Sequence, residues 1–80
     1  MKEYHVIITS PVEMTINGIR ARTGREAIQK AIQNAGFTNI EFVFYQGAPG
    51  IKYPKGKRPT GETYREKNTN IFIHAIAWTI

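Results

Sequence analysis

Thr23-Gly24-Arg25-Glu26-Ala27-Ile28-Gln29-Lys30-Ala31-Ile32-Gln33-Asn34-Ala35-Gly36 decides the fold, because here the apolar residues recur at helical spacing. Ala27, Ile28, Ala31, Ile32 and Ala35 fall on one stripe, and Arg25, Gln29, Lys30, Gln33 and Asn34 take the other side. Thr23-x-x-Glu26 fits a capping box: the threonine hydroxyl accepts one orphan N–H and the glutamate reaches back for another. Gly36 suits the left-handed position past a helix end, and Phe37 can close that end with an apolar contact. The spacing predicts a helix over residues 24–35, and its alanine-rich stripe lets it lie close on a sheet.

The flanks read as strands. Residues 4–9 are rich in β-branched side chains and stop at Ser10-Pro11. Next, Val12 to Ile16 and Ile19 to Arg22 flank Asn17-Gly18, a dipeptide suited to a type I′ turn because both central residues need positive φ. That hairpin pairs Ile16 with Ile19, Thr15 with Arg20, Met14 with Ala21 and Glu13 with Arg22, so apolar meets apolar and Glu meets Arg. A bulge at Asn17-Gly18 within one longer strand is the alternative.

Past the helix, residues 40–45 alternate Ile40, Phe42 and Phe44 against Glu41, Val43 and Tyr45. Residues 47–68 hold three of the four Pro and four of the seven Gly, and read as one long loop. Residues 70–80 form a last strand that is apolar on both sides, as central or doubly covered strands are. The expected architecture is α+β: an antiparallel sheet of four to five strands with one helix on one face. The element order is ββ(β)αββ, with the long basic loop before the last strand. One helix cannot cover both faces, so the loop, a second copy or a target must cover the other.

Eighty residues make one domain, 1–80, with a thin core, since a chain this short buries only about 60% of its unfolded surface. The apolar fraction of 41% is too high for a disordered tail. Twelve Ile and no Leu favour pleated structure. The absence of Cys excludes disulfides, thiol catalysis and cysteine-based zinc sites. With two His and no Asp, no metal or other cofactor is expected. Met1-Lys2-Glu3-Tyr4-His5 lacks a signal-peptide pattern and no run is long enough to span a bilayer. The expectation is a cytoplasmic protein, in a host's cytoplasm if the gene is viral, without membrane contact.

The net charge is +5, and residues 47–68 carry +4 of it. Charge concentrated in this way points to an anionic partner. Lys52, Lys55, Lys57, Arg58, Arg65 and Lys67 could neutralise phosphates, and Tyr53 and Tyr64 offer rings on which bases could stack. The competing reading is a solvated loop, although a loop this long in so small a domain is more often functional. Gly56-Lys57-Arg58 is no nucleotide-phosphate loop: the leading Gly, the following Ser or Thr and the helix are missing. Phe72, His74 and Trp78, with Tyr45 alongside, form a second candidate, either an interface patch or simply core. Catalysis is the weakest reading. A small ribonuclease would centre on His74, yet no acid–base pair is visible from spacing.

The strand pair followed by Thr23-x-x-Glu26-Ala27 and an Ala/Ile helix resembles a layout of small phage and plasmid proteins, including some anti-CRISPR inhibitors. Residues 23–80, around Gly56-Lys57-Arg58, resemble the exit-tunnel ribosomal proteins, which also run helix, strand, basic glycine-rich loop, strand. Neither likeness assigns a residue. The leading expectation is a binding module for nucleic acid or ribonucleoprotein. The second is a phage-borne inhibitor that docks its basic loop on an acidic protein surface; the open apolar face implies either a homodimer or an apolar patch that a partner covers.

Overall fold

The computed structural model describes residues 1–45 and 53–80. Six elements follow in order: β1 (Lys2–Ser10), β2 (Met14–Ala21), α1 (Gly24–Asn34), β3 (Ile40–Tyr45), β4 (Thr60–Glu66) and β5 (Phe72–Thr79). The five strands make one antiparallel sheet in the order β2-β1-β5-β4-β3, and α1 lies across β5, β2, β1 and β4. This is the expected α+β architecture, and β5 sits at its centre as its two apolar faces require. No helix among the described residues is long and apolar enough to cross a membrane.

The helix follows its local signals closely. Thr23 is the N-cap in extended conformation, and its Oγ1 accepts from the Glu26 N–H at 3.1 Å. The Glu26 carboxylate does not reach back; it meets Lys30 Nζ at 3.2 Å, one turn on. At the far end, Phe37 N–H donates to Ile32 O and Gly36 N–H to Gln33 O, with Gly36 at φ +102. These are the two bonds of a Schellman motif. Ala27, Ile28, Ala31 and Ile32 bury completely against Val6, Ile8, Ile73, Ala75 and Ala77, and Phe37 packs at the margin.

Two expectations are corrected. Asn17-Gly18 is a bulge and not a hairpin turn: Tyr4 pairs with Ile19 and Val6 with Ile16, leaving Asn17 and Gly18 opposite His5, with Gly18 at φ +74. The reason is face-matching. Ile16 and Ile19 are three apart and would lie on opposite faces of a regular strand, whereas one extra residue keeps both on the helix side of the sheet with Met14 and Ala21. The second correction concerns the loop. Thr60–Glu66, inside the expected 47–68 loop, is strand β4, paired with β3 on one side and β5 on the other. The basic stretch therefore precedes β4 and not the last strand, and its residues 47–52, Lys52 among them, lie outside the described residues.

β4 hides from a hydropathy reading because its helix-side residues are Glu62, Tyr64 and Glu66, all buried. Glu62 is fully buried and bonded on both oxygens, to Arg25 Nε at 2.7 Å and to the Tyr64 hydroxyl at 2.8 Å. Glu66 Oε1 accepts the N–H groups of Asn68 and Thr69, closing the turn into β5 at Asn70, which holds φ +63. A carboxylate is tolerated inside only when hydrogen-bonded in this manner.

Candidate nucleic-acid interface

Strand register brings distant cations to one end of the sheet. Lys2 pairs with Ala21, Tyr4 with Thr79 and Ala77 with Thr60, and Ile80 N–H donates to Glu3 O at 3.0 Å. The start of β1, the ends of β2 and β5 and the start of β4 thus lie side by side. The helix starts there too: a Cβ on Gly24 would stand 2.6 Å from Thr60 Oγ1, so Gly24 permits the close approach of α1 to β4. Lys2, Arg20 and Arg22 lie at this end, with Glu3 opposite Arg20, and Lys55, Lys57 and Arg58 belong to the segment that leads into β4 there.

Pro54-Lys55-Gly56-Lys57 is a tight turn, closed by the Lys57 N–H to Pro54 O bond at 3.1 Å. Gly56, at φ +86, occupies the third position, where a type II turn needs positive φ. The turn sets Lys55 at its tip and sends Arg58 outward, both exposed, with Lys57 half-buried. The ion pairs among the described residues are Arg25–Glu62, Lys30–Glu26 and Arg65–Glu41. Lys2, Arg20, Arg22, Lys55, Lys57 and Arg58 take no part in them.

An aromatic ladder borders this end on the face away from the helix. His5 stacks on Trp78 with ring centroids 4.6 Å apart, and Tyr53 leans on Trp78 at 6.2 Å. Tyr53 is the outer member, 43% exposed, while Trp78 is buried at 7%. Of the expected stacking rings, Tyr53 is available.

Tyr64 is not. It is buried in the core, its hydroxyl donating to Glu62 and accepting from Gln29 Nε2 at 3.1 Å. Burial, and then the bond to Glu62, push its phenol well above the ordinary value. Arg65 is half-buried and held by Glu41 and Asn70, and Lys67 is exposed beyond it. Both lie roughly 16–23 Å along β4 from Thr60, so they stand apart from the basic end.

The expected aromatic patch also divides. Trp78 is core in the ladder, and His74 is half-buried with Nδ1 2.8 Å from Thr63 Oγ1. Phe72 and Tyr45 are exposed, on β5 and on edge strand β3. The Tyr45 hydroxyl accepts from Arg25, whose guanidinium also lies 4.3 Å from the Phe42 ring centre. Lys2, Arg20 and Arg22 were not among the sequence candidates. Nothing in their local spacing marks them, and only strand pairing joins them to Lys55, Lys57 and Arg58. No known protein family, curated protein or solved structure matches the chain.

Proposed function

We propose that the chain is a non-catalytic module that binds nucleic acid, free or within a ribonucleoprotein, through its basic end. The observation that carries this reading is the gathering at one end of the sheet of the segments bearing six cations, outside the ion pairs of the described residues, with the exposed ring of Tyr53 at the same end. Cations arrayed along one end neutralise successive phosphates and release counterions, while a ring beside them accepts an unpaired base. Such contacts confer affinity with little sequence reading. A ribonuclease built on a histidine pair is disfavoured by distance. His74 sits four residues from Trp78, the partner of His5, so the two imidazoles are about 13 Å apart, too far to share one phosphate.

Salt titration tests the proposal. Binding to a duplex should weaken with a log–log slope of roughly −4 for about four to five phosphate contacts. Lys55→Ala/Lys57→Ala/Arg58→Ala should flatten that slope by about 2 to 3 units and weaken all sequences alike. Adding Arg20→Ala and Arg22→Ala should flatten it further. A triple variant that binds as wild type does removes the reading. Binding to an acidic protein with no measurable affinity for nucleic acid moves the function to the inhibitor class.

A further inference from the structure

The sheet has two edges of unlike design. β2 is interrupted by the Asn17-Gly18 bulge, bears Arg20 and leads into Arg22, devices that discourage another strand from joining. β3 also carries a register shift, between Phe42 and Phe44, but the side chains it exposes are mainly apolar. Phe42, Val43, Phe44 and Tyr45 are consecutive and 38, 39, 48 and 67% exposed, a run that a free surface does not normally carry. The backbone of α1 does not approach this strand; among the described helix residues Arg25 reaches over to Phe42 and Tyr45. Half of the N–H and C=O groups of an edge strand point away from its sheet and seek partners.

We propose that two copies of the chain pair through β3, antiparallel about a two-fold axis normal to the sheet, forming one continuous ten-stranded sheet. The strand is complementary to itself. Ile40, Phe42 and Tyr45 lie opposite the helix-side residues Glu66, Tyr64 and Glu62, and Glu41 and Phe44 lie opposite Arg65 and Thr63 on the other side. A two-fold between residues 42 and 43 sets Ile40 against Tyr45 and Glu41 against Phe44 of the second copy; these pairings match faces because the register shift between Phe42 and Phe44 reverses the alternation, and the central pair, Phe42 against Val43, falls on that shift. The one charge on the strand, Glu41, is already held by Arg65 and meets a phenylalanine in this register, so no like charges oppose.

The wider charge distribution agrees. Each copy carries +5, and Tyr45 marks the basic end of β3, where it pairs with Glu62 near the start of β4. The two-fold sends the two basic ends to opposite ends of the joined sheet, which limits repulsion between copies. A six-residue edge falls short of the usual interface of roughly 1,600 Å², so the dimer is weak and reversible.

Sedimentation equilibrium without nucleic acid tests this independently of the basic end. Over roughly 5–500 µM, bracketing a micromolar affinity, the wild type should pass reversibly from monomer to dimer. Val43→Lys should raise the dissociation constant at least about tenfold, because an edge lysine opposes strand addition. Thr15→Lys, on the other edge strand and adding the same charge, should leave it unchanged. Should Val43→Lys fail to fold, Glu41→Cys/Phe44→Cys serves instead: directly opposed strand positions lie within disulfide reach, so mild oxidation should give a covalent dimer. A wild type that stays monomeric throughout, as it would if β3 took a strand of another protein, overturns the proposal. So does a Val43→Lys variant that dimerises undiminished, or a double-cysteine variant that does not cross-link.

Discussion

The two faces of the sheet use the same strands and are buried to different depths. Under α1, Val6, Ile8, Ile73, Ala75 and Ala77 meet four helix residues and all are essentially inaccessible. On the opposite face Ile76 and Trp78 are buried, Ile7 and His74 are half-buried, and Phe72 and Phe44 are exposed. Width explains part of this. Five strands span about 19 Å, whereas a helix with its side chains is about 10–12 Å across. A single helix therefore completes a core over the central strands and leaves β3 outside it. The lesson is that the opposite face is closed at Ile76 and Trp78 as well, so what stays available for contact is its β3 side, at Phe72 and Phe44, and the β3 edge.

The sharpest way to break that contrast is truncation on each face. Ile28→Ala, in the sealed core, should cost about 2–5 kcal/mol through lost burial and a cavity. Phe72→Ala, nearly half exposed, should cost less than about 1 kcal/mol. Equal shifts in urea midpoint would mean that the open face is as tightly packed as the covered one.

Tyr64 tests how the covered face tolerates its carboxylate. Tyr64→Phe leaves Glu62 without its hydroxyl donor and Gln29 without an acceptor, at about 1–3 kcal/mol. The phenol's folded value is raised, so the folded chain keeps a proton that the unfolded chain releases. Its contribution to stability is whole below the unfolded value of about 10 and declines as pH climbs above it towards the folded value. Urea melts between pH 9 and 11, a window set by those values, should show a steeper alkaline loss for wild type than for Tyr64→Phe. Parallel losses would mean that Tyr64 is ordinary in its titration. The smallest effect is expected at the helix entrance, where Thr23→Ala removes the cap for about 1 kcal/mol. No shift in the urea midpoint would mean that docking of α1 alone fixes its first turn.

Residue by residue, what was legible divides by range. The helix, its Thr23 cap and its Gly36 exit were readable because each rests on a few consecutive residues. So were β3, with its bounds at 40 and 45, and the central place of β5. The basic stretch was readable as charge, but its partners Arg20 and Arg22 were not. Tyr64, read as a stacking ring, is core, because its hydroxyl finds two buried partners that hydropathy cannot anticipate.

Short-range physics alone accounts for the capping, the helical spacing, the strand alternation and the local excess of positive charge. The long-range packing made Asn17-Gly18 a bulge, since that depends on which face Ile16 and Ile19 must share against β1. It also made a strand of Thr60–Glu66. Glu62 can be buried because Arg25, 37 positions earlier in the chain, arrives on the helix to meet it. The basic end follows the same rule, joining cations whose proximity depends on strand pairing and not on spacing along the chain.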